Sequence, residues 1–65
     1  MNNETRYFVV NAHVGTETVL KELNEDCVAR LVDKNVVSVK TYGWNDAEEK
    51  VEYLLKRNHL SEIGA

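Results

Sequence analysis

The stretch TETVLKELNEDCVARLVDKN, residues 16–35, decides the fold because its pattern fits two different structures. In the first, residues 16–24 form a short helix or irregular crossing, and CVARLV, residues 27–32, forms a strand. The turn DKN then folds the chain into a hairpin, with Asn35 in the left-handed conformation that such loops often need. In the second, residues 16–34 form one long helix that Asn35 caps.

Composition favours the long helix, whereas topology favours the hairpin. Leu, Lys, Glu, Ala and Arg dominate the stretch and favour the helix. Such a helix also has an apolar stripe, formed by Val19, Leu20, Leu23, Cys27 and Leu31. It would nevertheless leave only a two-stranded parallel sheet, whereas parallel sheets are normally larger and covered on both faces. We therefore take the hairpin as the prediction and keep the long helix at 16–34 as the alternative.

Alternating segments on both sides of this stretch predict two further strands. RYFVVNAHV, residues 6–14, is rich in β-branched and aromatic residues and is followed by Gly15. Alternation divides it between one face with Phe8, Val10, Ala12 and Val14 and the other with Tyr7, Val9, Asn11 and His13. VVSVKTYG, residues 36–43, alternates again, and one of its sides carries Ser38, Lys40 and Tyr42.

The clearest helix is predicted in NDAEEKVEYLLKRN, residues 45–58. Its apolar stripe consists of Ala47, Val51, Leu54, Leu55 and Asn58. Asn45 and Glu48 fit an N-terminal capping box. Acidic residues in the first turn and basic residues in the last suit the helix dipole.

Together these elements predict a small α+β fold: a mainly antiparallel sheet of about three strands with the C-terminal helix packed on one face. Before this helix, Gly43 allows a sharp turn, and Trp44 is predicted to close the end of the core. We expect one domain over residues 1–65, ordered over about 6–59, with flexible termini at 1–5 and 60–65. The alternative is a βαβα arrangement built on the long helix.

The composition excludes several classes of protein. The chain has 65 residues, 43% hydrophobic and 29% charged, and its net charge of −3 provides no overall attraction to nucleic acid. No apolar run is long enough to cross a bilayer. Cys27 is the only cysteine, which rules out an internal disulfide and is typical of the reducing cytoplasm. A core this small yields little net stability, and self-association into a homodimer is one way in which the chain could gain more.

Residues that could carry chemistry favour structural roles instead. Asp26 beside Cys27 should raise the pKa of its thiol and leave a poor nucleophile. His13 is expected on the outer face of the first strand, and His59 follows the last helical turn. No residues have the spacing of a metal site, a phosphate loop or a catalytic triad. We therefore expect a protein that is not an enzyme and needs no cofactor or metal.

Candidate partner-binding residues lie mainly on the sheet face turned away from the helix. They are Tyr7, His13, Arg30, Lys40, Tyr42 and Trp44, with Arg6 at the edge. Aromatic and basic residues together are typical of protein interfaces and also of surfaces that meet nucleic acid. We expect contact with another protein or a second copy, with nucleic acid as the alternative and no membrane. Such a chain suits a cytoplasmic regulator or inhibitor of the sort that phages and mobile elements encode.

The rhythm of strand, turn and helix in VSVKTYGWNDAEEKVEYLL resembles in outline the C-terminal part of some small modules. Residues 27–58 are similar in this respect to arm-binding domains of phage-type integrases and to antitoxin domains of the HicB fold. The resemblance implies a hairpin followed by a helix and includes no diagnostic motif. The chain departs from the integrase modules in its acidity and in the few basic residues on its strands, which argues against DNA binding.

Overall fold

The fold is taken from a computed structural model, which describes residues 5–40 and 45–64 and, at 45 and 46, the backbone alone. The described chain forms β1 (Thr5–Val10), α1 (Thr16–Leu23), β2 (Val28–Asp33), β3 (Val36–Lys40), α2 (Asn45–Lys56) and β4 (Leu60–Glu62). The four strands make one antiparallel sheet in the order β2-β3-β1-β4. The prediction of a small α+β fold is confirmed. The predicted corner at Gly43 and the capping side chain of Asn45 lie outside the described residues.

The middle segment forms the predicted hairpin, and the alternative long helix at 16–34 is wrong. α1 ends at Leu23, whose carbonyl oxygen accepts the N–H of Cys27 at 2.8 Å in a closing turn. The side chain of Asn24 reaches past this turn and accepts the N–H of Ala29 at 2.8 Å, which fixes the start of β2. Asparagine side chains compete in this way with helical hydrogen bonds, so the helix propensity of the segment does not carry α1 further.

The core lies on one side of the sheet, beneath both helices. Its buried members are Phe8, Val10, Val19, Leu23, Cys27, Ala29, Val37, Val39, Ala47, Val51, Leu54 and Leu60. In β1 and β3 buried positions alternate with less buried ones, because successive side chains of a strand point to opposite faces. The predicted packing of the C-terminal helix on one face is confirmed. α1 shares that face and buries Val19 and Leu23.

β1 ends at Val10, earlier than the predicted first strand. Asn11 turns the chain: its Oδ1 accepts the N–H of His13 at 2.9 Å, and its carbonyl oxygen accepts those of Val14 and Gly15. Gly15 then adopts a φ of 99°, a region that favours glycine, before α1 begins. The predicted continuation of the strand to Val14 is therefore wrong, because the asparagine side chain stabilises a local turn in place of the ladder.

The end of α2 leads directly into a strand that the sequence did not predict. Asn58 has a φ of 64°. The N–H of Asn58 donates to Leu55 at 3.0 Å and that of His59 to Leu54 at 2.9 Å, which together form a Schellman motif. Leu60 then enters the core with 2% exposure and begins β4. The segment expected to be flexible from residue 60 thus begins as a strand, and the predicted helix stops short of Asn58.

The turn between β2 and β3 differs from its prediction. Among the described residues Asn58 is the only non-glycine with a positive φ, so Asn35 does not adopt the left-handed conformation. The carbonyl oxygen of Asn35 accepts the N–H of Val10 at 2.8 Å, and its Nδ2 donates to the carbonyl oxygen of Val10 at 3.2 Å. Asn35 therefore extends the ladder between β3 and β1.

Candidate partner-binding face

The sheet face turned away from the helices, here termed the open face, carries the side chains that alternate with the core. Strand register arranges them in three rows across the sheet. The rows are Val28, Lys40 and Thr5; then Arg30, Ser38, Tyr7 and Ile63; then Asp33, Val36, Val9 and Ser61. Ile63 joins the second row because its N–H donates to the carbonyl oxygen of Tyr7 at 2.9 Å.

Apolar side chains occupy one contiguous part of the open face. Tyr7 and Ile63 lie opposite each other and remain 46% and 44% exposed. Val9 and Val36 lie opposite each other in the next row and are partly buried. These four residues are termed the apolar half. Large exposed apolar side chains that adjoin one another are typical of an interaction surface, whereas isolated ones are not.

The other part of the open face is basic. Lys40 lies opposite Val28, and Arg30 follows Val28 by two residues on the same strand. The two cations are therefore diagonal neighbours, about 7 Å apart at their Cβ atoms. Both side chains are exposed, and neither has a carboxylate within 4 Å among the described residues. Arg30 and Lys40 are termed the basic half.

Arg6 belongs to the helix side of the sheet, which corrects its predicted place at the edge of the open face. Its guanidinium lies 5.4 Å from the centre of the Phe8 ring, in the core layer. Two hydrogen bonds, of 2.8 Å and 2.7 Å, join it to the carboxylate of Glu62. These bonds lower the pKa of Glu62 below its ordinary value. They also raise the pKa of Arg6 above its ordinary value. Arg6 therefore anchors β4 to β1.

The structure brings together three of the predicted binding residues. Tyr7, Arg30 and Lys40 share the open face. His13 lies apart from them, exposed in the turn that follows β1. Tyr42 and Trp44 lie outside the described residues.

Two exposed aliphatic members of the open face, Val28 and Ile63, are not predicted by the sequence analysis. Ile63 was assigned to a loose tail, because the alternation of Leu60 and Glu62 with Ser61 and Ile63 is too short to be recognised as a strand. Val28 is 40% exposed on the open face. Its place follows from the hairpin once the register with β3 is known, which the sequence pattern does not supply.

β2 is an edge strand whose edge is partly closed to further pairing. The N–H of Ala29 is occupied by Oδ1 of Asn24 at 2.8 Å. Leu31 and Val32 are 53% and 54% exposed, but the register shifts between Leu31 and Asp33 and interrupts the regular ladder. Bulges and covered backbone groups are devices by which natural edge strands avoid pairing with other chains. The open face is therefore a better candidate for partner binding than this edge.

The outer surface of the helices is acidic. A shallow groove between α1 and α2 is lined by Glu22, Asp26, Glu49, Lys50 and Tyr53. The ammonium group of Lys50 lies 3.4 Å from carboxylate oxygens of both Glu25 and Asp26. Burial lowers the pKa of Lys50, but its hydrogen bonds to these two carboxylates outweigh that effect and raise the pKa above its ordinary value. Lys50 is therefore committed to a contact within the chain.

Cys27 occupies a packing position. It is 6% exposed, and its Sγ lies 3.7 Å from the carbonyl oxygen of Ala47, so it connects the loop before β2 to α2. Burial, and then the negative charge of Asp26, raises the pKa of its thiol. Since the thiolate is the nucleophilic form, this environment suits a core residue.

Comparison with known proteins gives no relative: no protein-family model, curated protein or solved structure matches the chain. No helix within the described residues is long and apolar enough to cross a membrane. The same residues contain no group of three or more His, Cys, Asp or Glu side chains that could hold a metal ion. The candidate site therefore depends on the geometry and charge of the open face.

Proposed function

We propose that this chain is a non-enzymatic binding protein that docks on another protein through its open face. The observation that carries the proposal is the contiguous exposure of Tyr7 and Ile63 beside Arg30 and Lys40, which have no ion pair with any described side chain. Tyrosine and arginine side chains supply much of the binding energy of protein interfaces. Because both helices lie on the other side of the sheet, a partner can meet these residues without rearranging the fold.

In this role the protein is a small cytoplasmic regulator or inhibitor. A sheet face presents a broad surface, which suits occupying or blocking a partner, whereas catalysis normally needs a concave pocket. The single, buried Cys27 supports a reducing compartment, because proteins of oxidising compartments commonly use paired cysteines.

Partner capture with matched surface variants tests the proposal. Tyr7→Ser and Ile63→Ser each remove an apolar side chain from the open face. Leu31→Ser removes a similarly exposed aliphatic side chain from the helix side of the sheet, where Leu31 lies opposite the buried Val37. We expect both open-face variants to lose a specific protein that the wild type and Leu31→Ser retain. Retention of that protein by all of the variants would contradict docking through the open face.

Nucleic acid is the competing occupant, favoured by the exposed cations Arg30 and Lys40 near Tyr7. Its binding would weaken steeply with salt, because phosphate contacts release counterions. Labelled single- and double-stranded DNA and RNA, titrated at low salt, separate the two functions. Binding that Arg30→Ala and Lys40→Ala abolish would replace protein docking with nucleic-acid binding. An absence of binding is the result that protein docking predicts.

A further inference from the structure

Charge is divided between the two layers of the described chain. The helix layer, with the loop after α1, carries the exposed or partly exposed acids Glu17, Glu22, Glu25, Asp26, Glu48, Glu49 and Glu52. On the open face the balance reverses, because Arg30 and Lys40 face a single carboxylate among the described residues, that of Asp33. A protein with a net charge of −3 therefore presents one locally positive surface.

The spacing of Arg30 and Lys40 determines which spacing of carboxylates on a partner could pair with both. The strand register holds the Cβ atoms of Arg30 and Lys40 about 7 Å apart. Carboxylates two residues apart on a strand are separated by about 7 Å, and those four apart on a helix by about 5–6 Å. Either arrangement would pair with both cations, and the arginine fork can hold one carboxylate through two parallel hydrogen bonds.

A second copy of the chain complements this surface poorly. Depending on the two-fold axis, stacking two open faces sets Arg30 and Lys40 of one copy against either the same two cations or the apolar half of the other, and only the two Asp33 carboxylates offset the four cations. A flat dimer through the open face therefore leaves most of its cations without a carboxylate partner.

Nucleic acid is a poor complement for different reasons. Duplex-binding proteins of ordinary affinity neutralise about 6–10 phosphates, and the open face offers Arg30 and Lys40, with Lys34 in the adjoining turn. Among the described residues of the open face, Tyr7 is the only aromatic side chain on which a base could stack, and its neighbours Val9, Val36 and Ile63 are aliphatic. The acidic helix layer also repels a polyanion.

We propose that the open face receives an acidic protein surface, on which two carboxylates about 7 Å apart flank aliphatic or aromatic side chains. This inference rests on the proposed docking function. The carboxylates pair with Arg30 and Lys40, while the apolar side chains of the partner cover Tyr7 and Ile63. The charge pairs accelerate association and select the partner, and the apolar contact slows dissociation.

Photo-cross-linking in the host cell, followed by affinity measurement, tests this inference. The variant Tyr7→p-benzoylphenylalanine places the cross-linker within the open face, and the adduct identifies the partner, which is then purified. Binding is measured for the full chain carrying Arg30→Glu with Lys40→Glu. The matched control, Lys21→Glu with Lys56→Glu, changes the net charge equally at exposed helical positions. Circular dichroism verifies that all variants fold.

We expect a protein adduct with Asp or Glu close to the cross-linked position. Charge reversal by Arg30→Glu with Lys40→Glu should weaken binding at least about tenfold. The affinity of the control, Lys21→Glu with Lys56→Glu, should remain within about threefold of that of the wild type. Unchanged binding after the reversal, with binding still abolished by Tyr7→Ser, would overturn the acidic partner and leave docking intact. The absence of a protein adduct, or an adduct with nucleic acid, would overturn both.

Discussion

Asn11 connects two turns that are distant in the sequence. Its Nδ2 donates to the carbonyl oxygen of Asn58 at 3.0 Å, and its N–H donates to that of His59 at 3.0 Å. Its Oδ1 accepts the N–H of His13 at 2.9 Å. One residue thus joins the turn after β1 to the turn before β4, and it holds β4 beside β1.

Replacing Asn11 tests this connection. Asn11→Ala removes both side-chain hydrogen bonds and should lower the free energy of unfolding by about 1–2 kcal/mol, measured by urea denaturation. Asn11→Asp keeps the acceptor for His13 but sets a carboxylate oxygen against the carbonyl oxygen of Asn58, so this variant should also be less stable than the wild type. Equal stability of all three proteins would show that the connection contributes nothing.

The positive φ of Asn58 gives a second residue-scale prediction. At 64° this position closes α2 in a conformation that glycine adopts freely and that Cβ-bearing residues adopt at a cost. We expect Asn58→Gly to raise the free energy of unfolding by about 0.5 kcal/mol and Asn58→Ala to lower it by about 1 kcal/mol. Thermal unfolding of the three proteins measures the order. Alanine at least as stable as glycine would contradict the left-handed cap.

At the scale of elements, β4 is attached by the ion pair between Arg6 and Glu62. The hydrogen bonds from Arg6 lower the folded-state pKa of Glu62 below its ordinary value of 4.5. The pair therefore stabilises the fold above that pH, and its contribution is lost as the pH falls through the lowered pKa. For a partly exposed pair this amounts to at most about 1 kcal/mol.

The pH dependence of stability tests the attachment of β4. Glu62→Gln should be less stable than the wild type at neutral pH, and the difference should shrink below pH 4.5. Glu49→Gln, at an exposed carboxylate beyond the first turn of α2, is the control and should follow the wild-type profile. A difference between Glu62→Gln and the wild type that stays constant with pH would contradict the ion pair.

Asn24 protects the edge strand β2. Asn24→Ala frees the N–H of Ala29, and we expect the variant to associate with increasing concentration through β2, measured by light scattering. Adding Val32→Lys should restore the monomer, because lysine on an edge opposes pairing. Val51→Ala, which weakens the core without touching the edge, should remain monomeric. Association of Val51→Ala to the same extent would assign the effect to destabilisation.

Much of the fold follows from local pattern, but β4 does not. The alternation within β1 and β3 and the apolar stripe of α2 predict a sheet with a helix on one face. Leu60–Glu62 is too short for a periodic signal. Its position depends on the cap at Asn58 and on contacts with Arg6 and Asn11, which are far away in the sequence. Contacts of this kind cannot be recognised before the strands are placed.

The alternation of side chains along the strands predicts part of the candidate site. Tyr7, Arg30 and Lys40 share a face because each alternates with a buried neighbour. The same alternation places Arg6 with Phe8, a signal that was present but not used. His13 was misplaced because the competing turn at Asn11 was not recognised, although asparagine favours such turns.

At the scale of the whole molecule, the two faces of the sheet have different roles. The helices and one sheet face form the core, and the acidic residues lie mostly on the helix side. The reverse of the sheet is left with an apolar half and a basic half. This separation explains how an acidic chain of 65 residues can both bury a core and present a locally positive surface.

Methyl NMR with a soluble gadolinium complex tests the two-layer arrangement most directly, because relaxation by the complex reports exposure to solvent. Val28 and Ile63 lie on the open face, whereas Val37 and Val39 are fully buried beneath the helices. We predict strong relaxation of the methyl groups of Val28 and Ile63 and weak relaxation of those of Val37 and Val39. Equal protection of all four residues would contradict an open face.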